Sequence, residues 1–263
     1  MKKTIRSLTP ILLVLISLAM LSFMAKDTVT LRLKPQEGKT YTINTKSNMM
    51  MTMKVQGQSM TQSQIMEMRQ TFTVQSATDA QSVMVTEIEA VKMSASQMGM
   101  TFEYDSEHPE KTSPMLAGQT KEMEKVIKKP ATVTYDALGH LVGDSVTLEM
   151  NQLGSVISQL PEQELSVGSK WDFNKVQNVN GTMVSMNMEY TVTNISKKSI
   201  ELSVNGSTES KDVTGTHNGT VSIDPKTGLV TSSNIKMNLS MTVNEQGLSI
   251  PVTMTGTTTT TLK

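Results

Sequence analysis

From Tyr41 onward the chain alternates. The odd positions read Tyr41, Ile43, Thr45, Ser47, Met49, Met51, Met53 and Val55, against Thr42, Asn44, Lys46, Asn48, Met50, Thr52 and Lys54. Period two sends successive side chains to opposite faces of a strand. The stretch therefore predicts a strand with methionine on one face, Met50 alone pointing the other way. After a turn at Gln56-Gly57-Gln58 the alternation resumes with Met66, Met68, Phe72 and Val74. Thr78-Asp79-Ala80 signals the next turn, and Ser82 to Ser94 and Met98 to Tyr104 predict two further strands.

The period then changes. Ser113-Pro114 offers an N-cap and a first-turn proline, and Met115, Leu116, Met123, Val126 and Ile127 follow at helical spacing up to Lys129-Pro130. A second helix is expected over Ser145 to Gln159, ending at Pro161. Between the two, Ala131 to Val142 reads as a hairpin turning at Asp136-Ala137-Leu138-Gly139.

Strands return in the C-terminal part. Val184, Met186, Met188, Tyr190 and Val192 share a face, as do Ile200, Leu202 and Val204. Ile235, Met237, Leu239, Met241 and Val243 form the longest alternation, and Leu248, Ile250, Val252 and Met254 follow its turn. The closing TTTTTLK is β-competent and polar, suited to an edge strand or a frayed tail.

The two halves echo each other. "GKTYTI" (Gly38 to Ile43) matches "GSKWDF" (Gly168 to Phe173), and "ATVTYDALGHLV" (Ala131 to Val142) matches "GTVSIDPKTGLV" (Gly219 to Val230). The expected fold is β-rich α+β: one curved antiparallel sheet built from two repeated meanders, with two helices covering its concave face. The N-terminal meander and helices occupy 26–160 and the C-terminal meander 161–263, both in one continuous domain.

The first 25 residues change the picture of compartment. Lys2, Lys3 and Arg6 precede an apolar run from Ile11 to Met24, the layout of a secretory signal cleaved after Ala19 or Ala25. Removing those three cations takes 24 basic against 24 acidic residues to 21 against 24, a mature charge of about −3. Such a charge gives no electrostatic reason for a nucleic-acid partner. There is no cysteine, which excludes disulfides, thiolate metal sites and a lipid-modified cysteine. The expectation is an exported protein of the periplasm or cell exterior, without a stable membrane anchor after cleavage.

The order "LKPQEGKTYTI", "FEYDSEHPE", "VTYDALGHLV", "LPEQELSVGSKWDF", "GTVSIDPKTGLV" resembles a family of exported proteins of unknown function common in Bacteroidetes. The likeness implies no catalytic residues. Many members keep an anchoring cysteine after the signal, and this chain departs from them there. A curved sheet of this kind is also remotely similar to periplasmic lipoprotein carriers, a likeness of fold alone.

Methionine supplies 23 residues against nine aromatic ones, one Trp, four Tyr and four Phe. On a strand, residues i and i+2 stand about 6.5–7 Å apart on one face. Met49, Met51 and Met53 therefore form a thioether row, with Met66/Met68 and Met186/Met188 at the same spacing. Such rows serve as adaptable core filler, as the lining of an apolar ligand site, or as soft ligands for copper. Trp171 reads as a core anchor whose indole N–H lies near the rim, or as a wall of that ligand site. Thr28 and Ser145 fit an acid-Ser/Thr-apolar glycan acceptor pattern.

His108, His140 and His217 are far apart and read as surface histidines, not as a zinc site. Asp136 and Asp224 begin turns, where Asp bonds its own backbone. No phosphate loop, nucleophile elbow or HExxH is present. The expected function is that of a non-enzymatic, cofactor-free binding protein with a methionine- and aliphatic-lined cavity for a lipid or other apolar ligand. The cavity positions are Met49, Met51, Met53, Met66, Met68, Met186, Met188 and Trp171. The alternatives are an envelope scaffold that binds another protein and, behind it, a methionine-based copper handler.

Overall fold

The structure, a computed structural model, describes residues 28–55, 57–143, 159–179, 182–245 and 248–263. The strands are β1 (Thr40–Val55), β2 (Gln58–Ala77), β3 (Gln81–Gln97), β4 (Met100–Asp105), β5 (Ala131–Asp136), β6 (Lys170–Val179), β7 (Thr182–Ile195), β8 (Ile200–Glu209), β9 (Val213–Ile223), β10 (Val230–Glu245) and β11 (Leu248–Leu262). They form a single eleven-stranded sheet in the order β4-β3-β2-β1-β11-β10-β9-β8-β7-β6. β5 pairs with β3 at Gln81 to Thr86, and β4 takes the same edge at Lys92 to Gln97. Every ladder is antiparallel.

Hairpins account for most of this order, because adjacent segments joined by tight turns pair first. The β3–β4 turn has Met98 and Gly99 at φ 52° and 80°, the two positive values that a two-residue hairpin matching strand twist requires. The ladder that spans the most sequence is β1 with β11, from Ile43–Leu262 to Met53–Val252. It makes the closing threonines a central strand, held by β1 on one side and by β10 on the other. The expectation of an edge or a frayed tail is thereby corrected. Thr261 and Thr259 face outward in register with Asn44 and Lys46, while Thr260 and Thr258 face inward.

The sheet curls, and the segment at Gln159 and Leu160 bridges its two ends. β5 and β6 belong to opposite ends of the strand order, yet Leu160 N donates to Leu138 O just beyond β5 (2.8 Å), and Trp171 Nε1 at the start of β6 donates to Gln159 O (3.3 Å). Val29 and Leu165 exchange two hydrogen bonds of 2.9 and 2.8 Å, Leu33 N reaches Ala137 O, and Lys34 N reaches Thr227 O. Bulges at Val74/Ser76, Val192/Asn194 and Val230/Ser232 lie at this same end, where an added residue increases local twist and bends the strand. One mouth of the half-barrel is thus plugged by Leu31, Leu33, Leu160 and Leu165, which pack on Tyr41, Phe72, Val192, Leu202 and Ile223 in the main core.

Two helices covering the concave face are not what the structure shows. Of Ser113 to Lys129, only a 3₁₀ turn, Pro114–Leu116, and α1 (Ala117–Glu124) are helical. Glycine at 118 weakens an already short helix, and the backbone reverses at Lys128, φ 59°. Leu116, Met123, Val126 and Ile127 pack instead as separate residues on Met68, Ile88, Val91 and Tyr104. The second expected helix, Ser145 to Gln159, falls outside the described residues except at Gln159, as do the leader and Ser145 itself. Among the described residues, extended chain fills the closed end.

Candidate functional site: a methionine-lined concave face

The concave face is graded from the plug to the open mouth. Nearest the plug it is aromatic and aliphatic, and tightly buried. Tyr41 stacks on Phe72 (4.9 Å between centroids), and Trp171 stacks on Tyr190 (5.2 Å). Trp171 is 9% exposed, and its N–H donates to Gln159 O beside the plug.

A belt of hydroxyls and amides follows. Thr45, Ser47, Gln70, Thr86, Thr208, His217 and Thr260 are all buried. Several of them pair across strands: Ser47 Oγ to Thr258 Oγ1 (3.0 Å), Gln70 Nε2 donating to Thr86 Oγ1 (2.6 Å), and Thr208 Oγ1 to His217 Nε2 (2.6 Å). Pairing of this kind removes the cost of burying polar groups. His217 is thus not the surface histidine expected from its place near a turn. Burial pushes its imidazole below the usual range.

Beyond the belt the face turns to methionine and is mostly half exposed, although Val252, between Met53 and Met241, is buried. Met49, Met51 and Met53 of β1 continue the row begun by Tyr41, and Met60 and Met66 stand beside them on β2. Met237, Leu239 and Met241 of β10 and Met254 of β11 complete the lining on the other side. Glycines on this face make room for their large neighbours. Gly256 sits between Met49 and Met237 in register, Gly215 beside Leu239, and Gly206 beside Met188. A small residue opposite a large one lets a strongly curved sheet pack without crowding its concave side.

All eight residues expected to line a cavity lie on this face, but at different depths. Met68, Met188 and Trp171 are buried in the packed part, whereas Met49, Met51, Met53, Met66 and Met186 are half exposed. Sequence alternation also marked Met237, Met241 and Met254, but only the β1–β11–β10 register places them opposite Met49 and Met51. Gly256 carried no signal of its own. Thr28, proposed as a glycan acceptor, is exposed and donates to Glu164 Oε1 (2.6 Å).

The convex face is the charged one. Lys46, Glu67, Lys92 and Asp105 stand in one row across β1, β2, β3 and β4, with ion pairs at 2.7 Å (Lys46–Glu67) and 3.0 Å (Lys92–Asp105). Arg69 joins Glu89 and Glu107 at 2.8 and 2.7 Å. Asp105 and Glu107 are therefore paired with cations. No cluster of three His, Asp or Glu suited to a metal exists among the described residues. Asp136 Oδ1 accepts from the amides of Leu138 and His140, and Asp224 Oδ1 from that of Lys226, as turn-initiating aspartates do. Met50 does point outward, 51% exposed, beside Ile65 and Lys236 in a shallow hollow.

Among solved structures, the chain aligns with one described as "Lipid-protein interactions in lipovitellin", at a TM-score of 0.48 and 11% identity over 87% of this chain. The chain spans only 25% of the length of that lipovitellin chain. It also aligns with an outer membrane lipoprotein-sorting protein domain from Vibrio parahaemolyticus, at a TM-score of 0.16 and 11% identity, covering 80% of this chain and 82% of the other. A search of curated proteins gives no match. Over residues 150–230, from just before the plug to the start of β10, the sequence matches a family of unknown function (DUF6263).

Proposed function

We propose that this is an exported, non-enzymatic binding protein that holds an apolar, lipid-like ligand against its concave face. The observation that supports this is the half exposure of Met49, Met51, Met53, Met66, Met237 and Met254 on the face that is tightly packed further down. Thioether side chains with three rotatable bonds adapt to irregular apolar partners. A concave apolar surface with polar groups at its base is the usual form of a small-molecule site. The Ser47–Thr258 and Thr208–His217 pairs would face the deepest atoms of such a ligand.

Native mass spectrometry of the mature protein, purified gently from its own host, tests this. An added mass of lipid size, lost in a variant with Met51→Glu and Met254→Glu, is the expected result. A bare polypeptide mass that takes up no fatty acid or phospholipid on incubation would overturn it.

A second reading has its own support. Met50 and Ile65 stay exposed on the convex face beside Lys236, the kind of apolar spot that engages another protein. In that case a double substitution Met50→Ser, Ile65→Ser would release an envelope partner and leave any lipid mass unchanged.

A further inference from the structure

Two methionines lean over Gly256, and two more stand one register step along β1 and β11. The register partners of Gly256 are Met49 on β1 and Met237 on β10. A Cβ placed on Gly256 would find Met49 Cγ at 3.1 Å and Met237 Cγ at 3.5 Å, so both side chains lean over the gap that the glycine leaves. One step toward the open mouth, Met51 and Met254 are direct partners of each other. Cross-strand neighbours stand about 4.5–5.5 Å apart at Cβ, and residues two apart on a strand about 6.5–7 Å. Flexible methionine arms span both separations.

We propose that Met49, Met51, Met237 and Met254 form a binding site for a soft monovalent metal ion, Cu(I) or Ag(I). Thioether sulfur is a soft, neutral donor and selects such ions. The surroundings exclude the competitors. The concave positions of β1 from Tyr41 to Val55, of β2 from Met60 to Val74, of β10 from Ile235 to Val243 and of β11 from Ile250 to Leu262 carry no charged side chain. Calcium and magnesium need several oxygen donors, carboxylates among them, and zinc needs thiolate, carboxylate or more than one imidazole. The nearest imidazole, His217, is the register partner of Met237 on β9, and its Nε2 is already bonded to Thr208. A site of neutral donors keeps the full charge of its ion, and the cost of moving an ion out of water rises steeply with that charge. A single positive charge is therefore favoured over two. Half exposure of the four side chains supplies the entry path.

The site does not depend on the lipid reading, and the test separates the two. Silver(I), a redox-inert stand-in for Cu(I), is titrated into the full mature protein in chloride-free buffer and followed by calorimetry and native mass spectrometry. The expected result is one silver ion per chain, with affinity falling at least tenfold in Met49→Leu, Met254→Leu. Affinity should be unchanged in Met98→Leu, Met100→Leu, which alters exposed methionines at the β3–β4 turn. Methionine to leucine conserves volume and apolarity, so the first variant keeps its fold, seen by circular dichroism, and its capacity for an apolar ligand. Absence of silver binding in the wild type, or equal binding by both variants, would overturn the proposal.

Discussion

The amide of Leu160 donates to the carbonyl of Leu138 at 2.8 Å, while the carbonyl of the preceding Gln159 accepts from Trp171 Nε1. Two consecutive residues thus tie the β5 end of the sheet to its β6 end. Together with Leu31, Leu33 and Leu165 they turn an open sheet into a half-barrel with one closed mouth. That closure separates a packed base, which stabilises the fold, from a methionine-lined rim that is left accessible.

The plug should therefore be where stability is concentrated. Leu31 and Leu165 are fully buried, and truncating such a residue to alanine costs about 2–5 kcal/mol. Met51→Leu at the half-exposed rim should cost under about 1.5 kcal/mol. Urea unfolding of the three variants checks this, and equal losses at plug and rim would sink the distinction.

Gly228 fastens the plug strand. It has φ 69°, and a Cβ there would run into the backbone carbonyl of Arg32, beside the bond from Lys34 N to Thr227 O. Gly228→Ala should lose at least about 1–2 kcal/mol from the left-handed backbone alone, with more from the clash. A thermal midpoint within a degree of wild type would contradict it.

His217 makes stability pH-dependent. Its folded pKa is lowered by burial, so below the unfolded value of about 6.5 the unfolded chain binds more protons than the folded one. Its contribution is fully present above that pH and is lost as pH falls through the folded value. The difference in denaturant midpoint between pH 7.5 and 5.5 should shrink in His217→Gln. An unchanged difference would remove His217 as the cause.

The charge row of the convex face should matter little. Lys46 and Glu67 are each about half exposed, and exposed pairs contribute at most about 1 kcal/mol and are weakened by salt. Glu67→Gln should shift stability by less than that, with the shift vanishing in high salt. A large, salt-independent loss would show that the pair does more than cover the surface.

Much of this architecture is written locally. Alternation from Tyr41 to Val55 already placed Tyr41, Met49 and Met51 on one face and Met50 on the other, because the period of a strand is two wherever it pairs. Turn residues set the hairpins for the same reason: Gly57, Gly99 and Asp224 act on their own backbone. The helical pattern at Met115 to Ile127 misled because spacing is a weak guide in a short segment, and Leu116, Met123, Val126 and Ile127 each found a place on β2, β3 and β4.

What the sequence by itself determined was a β-rich chain with methionine faces, a set of hairpins and a polar, charged opposite side. Only the tertiary structure decided that β11 pairs with β1, that Leu31 and Leu165 seal one mouth, that His217 is buried and that Met49 and Met237 flank Gly256 with Met51 and Met254 in register beside them. Those facts depend on register between strands some two hundred residues apart. Register is chosen by the whole buried face at once, since a slip of one residue would turn every methionine on a strand to the other side.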